Sequence, residues 1–554
     1  AGTLYYGSQF LHKSTDRGAN WEIISPDLST NDPTKQKQLE SGGLTYDVTA
    51  AENHTTLIAI APSPLQRGTI WAGTDDGNVQ LTRDGGKSWE NVAKNIKDLP
   101  AGAWIPQIRA SRYAEGEAFV VANDYRRHDY TPYLFHTRDY GKTWRRLADE
   151  KKVWGYCLSF IQDPVEPRLM FLGTEYGLYL SLDAGETWAR WKQGYPSVST
   201  MDLAIQEREC DLAIGTFGRS AYVLDDIRPL RAMAKSGQAV LDAPLYAFEP
   251  PVAVLAEYGV APGTRFLADA MFAGENRPYG AMSSFWVKEG AAKTMNGGEK
   301  KEGKKTDGAA TKDSVRIEIF DAAGELLRTL RHRPDTGLNR IQWDLRREGV
   351  RNLSGTGRTG GTQVVPGSYR LHFAYGEARD TIELQVIADP RIELRDSDLR
   401  AQQVFNQRVL GLSEQAAKAL QQIRDASATI ELVLKQLPPG DDTTYKAIRT
   451  SSVALKDSLQ QLTWRITVRD DKQGYFSDPY ALSSRISTLQ YRLSNARTAP
   501  TATDEWLMQQ VEAETKAVMG RINGFFETAW KAYREQVEAA KLSPFTVVKP
   551  LGQE

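Results

Sequence analysis

The chain has 554 residues, enough for about three to four domains at roughly 150 residues each, so a single small module is excluded. Its 69 Lys and Arg against 70 Asp and Glu leave a formal charge of -1, which argues against an electrostatic nucleic-acid or membrane-surface binder. Hydrophobic residues make up 41% of a chain that has no apolar run of roughly 18 residues, so a globular protein without a membrane span is expected.

From the N-terminus, the first signal is a repeat. Eight of the 13 Trp fall before residue 192, and four of them close an octapeptide of the form Ser/Thr-x-Asp-x-Gly-x-x-Trp. The copies place Asp at 16, 84, 139 and 183 and Trp at 21, 89, 144 and 188 (Asp16, Asp84, Asp139, Asp183; Trp21, Trp89, Trp144, Trp188). The Asp spacings of 68, 55 and 44 suit four-stranded propeller blades, the first with a long insertion. In such a turn Asp accepts backbone hydrogen bonds, Gly takes a positive φ, and Trp packs between neighbouring sheets. One such Asp per sheet is scaffolding, because a catalytic group is needed once. Alternating strands precede three copies, at Leu4–Ser8, Thr69–Thr74 and Leu169–Thr174; a fourth, Leu212–Thr216, leads to Asp226 without the octapeptide, so the array should end there.

The octapeptide resembles the Asp-box, or BNR, repeat of sialidases, xyloglucanases and sortilin-type propellers. The segments Ile70–Trp89, Leu172–Trp188 and Ile214–Leu230 resemble more closely a family of large bacterial secreted proteins with sortilin-like propellers, often labelled glycosyl hydrolases. The resemblance implies a β-propeller of more blades than four or five, so residues 1–232 are expected to be a propeller portion that another chain or segment completes. It also implies a secreted, periplasmic or outer-surface bacterial location. Sialidase chemistry would call for an Arg-Ile-Pro segment, and none occurs.

Residues 233–392 read as Pro-punctuated alternating strands, among them Val315–Phe320, Asn339–Asp344 and Gly367–Phe373, and an immunoglobulin-like sandwich is expected. Related proteins carry such a module, and Pro366–Tyr369 looks like its final hairpin. Residues 289–313, rich in Lys, Glu, Gly and Ala, are expected to form a disordered loop. Over 393–545 the period turns helical: four apolar stripes, a Pro438-Pro439-Gly440 break and a start signal at Thr501 with Asp504 predict an antiparallel helical bundle. The fold class is thus mainly β with an α-helical C-terminal domain.

Candidate chemistry is sparse. Asp124, Arg126, Arg127, His128, Asp129, Tyr130 and Tyr133 cluster in a loop before the third octapeptide, where two Arg, a His and two Asp could bind an acidic or sugar ligand at a propeller rim, or simply brace the loop. Asp47 and Glu52, in the first insertion, are the other carboxylates that glycoside hydrolysis could use, with Asp124 and Asp129. Cys157 and Cys210 are expected to be free thiols, and the six His form no zinc-binding spacing. No cofactor is expected; calcium at Asp75-Asp76 or Asp225-Asp226 is the sole metal idea. Gly355–Gly360 fits G-x-G-x-x-G, but a strand follows it and not a helix. Two functions stay open: a non-catalytic interaction protein whose propeller binds a protein, peptide or glycan, alone or within a larger assembly, and a glycoside hydrolase acting on an extracellular polysaccharide.

Overall fold

The computed structural model describes residues 2–36, 54–256, 277–288, 314–353, 357–358, 360–438, 442–469, 478–494 and 498–540. The chain divides into two compact units, Ala1–Phe248 with Phe285–Glu289, and Glu249–Ser284 with Gly290–Glu554. The expected disordered loop at 289–313 lies outside the described residues.

The first unit is built from antiparallel meanders in chain order. The first sheet has three strands, Leu4–Gly7, Leu11–Ser14 and Glu22–Ile23. Three four-stranded sheets follow. They comprise Leu57–Pro62, Ile70–Thr74, Val79–Thr82 and Glu90–Asn91; Trp104–Ala110, Ala118–Asp124, Asp129–Thr137 and Arg145–Ala148; and Cys157–Gln162, Met170–Thr174, Gly177–Ser181 and Ala189–Arg190. A three-stranded fifth sheet, Thr200–Gln206, Asp211–Thr216 and Ala221–Leu224, ends the series.

Successive sheets stack face to face with their first strands adjacent, the arrangement of propeller blades. A strand between two such faces is buried on both sides, which explains runs with no polar alternation. In Ala118–Asp124, Val120 packs with Trp71, Ile105 and Phe135 toward the second sheet, while Phe119 and Val121 pack with Phe160 and Leu172 toward the fourth. Close stacking requires glycine at one point: a Cβ on Gly173 would sit 2.5 Å from the Thr200 carbonyl oxygen of the next sheet. Arg109 crosses the same inner strands, donating from Nε to the Phe160 carbonyl at 3.3 Å and from Nη2 to the Leu203 carbonyl at 3.4 Å.

Helices α1 (Arg228–Ser236) and α2 (Gln238–Asp242) close this unit, with Leu245–Ala247 paired antiparallel to Phe285–Val287. Arg231 of α1 grips buried Asp163 through Nε at 2.9 Å and Nη2 at 2.8 Å, which neutralises a carboxylate that would otherwise be costly to bury. Both cysteines are free and buried, and burial pushes the Cys157 thiol up to about 12.

The second unit has a five-stranded sheet, ordered Ala253–Leu255, Ala378–Ala388, Gly367–Tyr375, Val315–Phe320 and Leu326–His332, with the first pair parallel and the others antiparallel. Val315, Ile317 and Ile319 are buried and their alternate neighbours are not, as period-two patterning requires.

Its helices are α3 (Asp396–Gln436), α4 (Thr443–Ile466), α5 (Leu482–Ser494), α6 (Ala502–Phe525) and α7 (Lys531–Ala539). The stripes read from sequence meet in one core that includes Val409, Ile423, Ile448, Leu459, Ile486, Val511 and Ile522. Thr501 and Asp504 form the reciprocal capping box that starts α6. Where one final helix was expected, a π-helical turn at Phe526–Trp530 separates α6 from α7.

Candidate functional site

The four octapeptides share one geometry. In the third, the Thr137 hydroxyl donates to Asp139 Oδ1 at 2.9 Å, the Gly141 N–H donates to Thr137 Oγ1 at 3.0 Å, and Thr143 donates from its N–H to Oδ1 at 2.9 Å and from its hydroxyl to Oδ2 at 2.6 Å. The other three repeat these bonds, with Asn20, Ser88 or Thr187 as the last donor. Two successive residues take a positive φ in each turn, such as Tyr140 at 61° and Gly141 at 77°. The backbone N–H of Asn20, then its side chain, holds the Asp16 carboxyl at about 2.

The tryptophans bind differently from one another. Trp89 and Trp188 donate across to carbonyls of the preceding sheet, Ile24 and Leu147, while Trp144 donates locally to Gly141 and meets Trp71 edge-on at 6.2 Å. Trp21, on the first sheet, is exposed and sits edge-on to Tyr6 at 6.1 Å.

In the three four-stranded sheets these turns join third to fourth strands, so the turns joining second to third strands lie at the opposite ends of those sheets. That opposite rim carries exposed Tyr130, Trp154, Tyr176 and Phe217. On the third sheet, Arg126 lies over the Trp104 ring at 3.4 Å and the Tyr125 ring at 4.5 Å. Tyr125 stacks on Tyr156 at 4.6 Å, and Tyr130, 56% exposed, approaches Tyr156 at 6.2 Å. On the fourth sheet Trp154, 60% exposed, stacks on Tyr176 at 4.2 Å. Gly155 makes this stack feasible, since a Cβ there would lie 2.6 Å from the Tyr176 ring. Arg190 holds the turn by donating to the Tyr176 carbonyl and the Ser197 hydroxyl.

Glu175 joins the two groups: its Oε2 accepts from the Tyr156 hydroxyl at 2.6 Å and the Ser199 hydroxyl at 2.8 Å. Burial and then the Glu175 carboxylate push the Tyr156 hydroxyl far above the usual phenol range. Phe217, 75% exposed on the fifth sheet, continues the rim through its N–H, which donates to the Ser199 carbonyl at 3.0 Å.

The residues singled out from sequence separate into two groups here. Arg126 and Tyr130 stand on the exposed rim, and His128 occupies the left-handed tip of its turn at φ 66°. Arg127 donates to Asp124 Oδ1 and to the Ala101 carbonyl, both at 2.7 Å, and so braces the loop. Asp129 and Tyr133 engage one another: the Tyr133 hydroxyl donates to Oδ2 at 2.7 Å and the Thr131 N–H to Oδ1 at 3.0 Å. Burial opposes the Asp129 charge, but the bonds from Thr131 and Tyr133 outweigh it and lower the pKa. A general acid needs the reverse shift. Asp47 and Glu52 lie outside the described residues.

Sequence reasoning missed Trp154, Tyr156, Glu175, Tyr176 and Phe217, which come from separate loops. It also missed buried Glu117, which accepts from Ser111 and meets His136 Nε2 at 2.8 Å and Arg138 Nε at 3.5 Å. Among the described residues no group of three or more His, Cys, Asp or Glu could hold a metal ion. Asp75 accepts from Thr56 and meets His54 at 3.2 Å, Asp76 accepts from Thr30 and Thr74, and Asp226 binds Arg228. Among the described residues no helix is long and apolar enough to cross a membrane.

No family model matches the chain, and none of the curated proteins does. Similar solved structures include YCF48 from Cyanidioschyzon merolae (18% identity, 30% of this chain and 52% of that one, TM-score 0.23). Others are a GH74 enzyme from Niastella koreensis (11% identity, 69% and 55%, TM-score 0.31) and the extracellular domain of a putative hybrid two-component system from B. thetaiotaomicron (8% identity, 70% and 43%, TM-score 0.28). The chain spans about half the length of these structures. Identities and TM-scores this low assign neither a family nor a function to it.

Proposed function

We propose that the first unit is a propeller of the Asp-box type that binds a protein, peptide or glycan ligand without catalysis, through the rim formed by Trp104, Tyr125, Arg126, Tyr130, Trp154, Tyr176 and Phe217. The observation that carries this reading is the run of aromatic groups, with Tyr130, Trp154, Tyr176 and Phe217 exposed, whose neighbouring carboxylates are tied down: Asp124 by Arg127, Asp129 by Thr131 and Tyr133, and Glu175 by Tyr156 and Ser199. Exposed aromatic faces offer large contact area at little conformational cost, which is what a recognition surface needs. The resemblance read from sequence adds a secreted, periplasmic or outer-surface bacterial setting. It also adds a second chain or segment completing the propeller, and a sandwich and bundle as docking elements in a larger assembly.

Peptide and glycan arrays probed with the full chain and with Trp154→Ala test it. Loss of at least tenfold in affinity for any retained ligand, at unchanged melting temperature, supports the rim; equal retention removes it.

The second reading, a glycoside hydrolase acting on an extracellular polysaccharide, is favoured by Glu175, a carboxylate that accepts from the Tyr156 hydroxyl and directly precedes Tyr176 of the Trp154–Tyr176 stack. Reducing-sugar release from a polysaccharide panel, abolished by Glu175→Gln, would establish it.

A further inference from the structure

The second unit holds a cavity of about 660 Å³ that the functional reading leaves unused. Its size falls in the range of small-molecule sites, roughly 300–1,000 Å³. One wall is a single face of α3, where Leu399, Gln402, Gln403, Asn406 and Leu410 follow helical spacing. The opposite wall is the segment Gly360–Val365, held in place by the Arg347 N–H donating to the Thr362 carbonyl and the Val364 N–H donating to the Leu345 carbonyl.

The lining has a definite chemistry. Its polar part is rich in carboxamides, with Gln363, Gln402, Gln403, Asn406 and Gln490. The Gln363 amide nitrogen donates to the Tyr279 hydroxyl at 2.6 Å and that of Gln403 to the Gln363 carbonyl at 3.4 Å. Amides anchored through nitrogen present oxygen acceptors. Asp389 and Arg391 face one another as a bidentate pair, with Nε–Oδ1 at 2.9 Å and Nη2–Oδ2 at 2.6 Å, and cancel in charge. Arg346 donates to the Gly361 carbonyl at 3.1 Å. Among the described residues no aromatic ring lines the space, which removes the platform that a nucleobase would use.

We infer that this cavity binds an uncharged, hydroxyl-rich small molecule of the size of a mono- or disaccharide, held by Asn406 and the glutamine amides against aliphatic walls. Hydroxyl groups supply the donors that carboxamide oxygens accept. The site is independent of the rim, being built wholly within the other unit.

Titration calorimetry on the full chain, with D-glucose, D-galactose, N-acetylglucosamine, sorbitol, maltotriose and sodium glucuronate as probes, tests this. At least one neutral probe should bind, and roughly tenfold more weakly to Asn406→Leu, which replaces the amide by an aliphatic group. Trp154→Ala should leave that binding unchanged, which separates this site from the rim. Preference for maltotriose over glucose would point to the end of a glycan, and the reverse to a free sugar. Silence from every neutral probe at tens of millimolar, tighter binding of glucuronate, or undiminished binding by a folded Asn406→Leu would overturn the inference.

Discussion

Replacing Asp183 by Ala removes the centre of one octapeptide turn without touching the rim. Three bonds disappear: from the Ser181 hydroxyl at 2.7 Å, the Thr187 N–H at 2.9 Å and the Thr187 hydroxyl at 2.6 Å. Hydrogen bonds to a charged acceptor contribute about 1.5–3 kcal/mol each, but this turn is half-exposed and water replaces part of that, so about 2–3 kcal/mol in total is expected. In a unit of this size that lowers the melting temperature by about 5–10 °C. The cost extends past the turn, because the turn presents Trp188, whose Nε1 donates to the Leu147 carbonyl of the preceding sheet at 3.1 Å. Burial raises the Asp183 pKa, but the bonds from Thr187 and Ser181 outweigh it and the net shift is downward. The stabilisation is therefore complete above the unfolded carboxyl pKa, near ~3.9, and is lost as pH falls through the lower folded value. Thermal melts followed by tryptophan fluorescence at neutral and acid pH measure both effects. A change of less than about 0.5 kcal/mol at neutral pH would refute the scaffolding role.

Gly173→Ala should cost about 1–3 kcal/mol, because its Cβ would meet the Thr200 carbonyl, whereas Gly215→Ala, with its nearest atom at 3.7 Å, should melt within about 0.5 kcal/mol of the parent. Glu117→Gln should cost about 1–3 kcal/mol at neutral pH by disturbing Ser111 and His136. Burial opposes the Glu117 charge, yet bonds from His136 and Ser111 outweigh it and lower the pKa, so the penalty should shrink as pH falls below ~4.3 in chemical denaturation. Thr501→Ala should cost about 1 kcal/mol in the second unit, with hydrogen exchange accelerating first in the opening turn of α6.

The sequence made the scaffold legible wherever the determining bonds are local. Asp16, Asp84, Asp139 and Asp183 each bond within four residues, so the octapeptide states its own geometry. The same holds for the Thr501–Asp504 box and for the three-four spacing of α3. The loop around Asp124 was legible as a polar cluster, but its bonds were not: Asp129 pairs with Tyr133 along the strand that Asp129 opens, and Arg127 reaches back to Ala101. The stacked rim was hidden because its members come from separate turns. Trp154 meets Tyr176 across 22 positions, and Tyr125 meets Tyr156 across 31, each an ordinary aromatic residue until the sheets stack.

The central claim is that the rim binds without turnover. Its most direct test is mass spectrometry of an array-identified ligand recovered after prolonged incubation with the wild-type chain, with Trp154→Ala and with Glu175→Gln. The account predicts a ligand that is retained by the wild-type protein, weakened by Trp154→Ala and recovered at unchanged mass. Shortened fragments produced by the wild type and absent with Glu175→Gln would contradict it and establish the hydrolase.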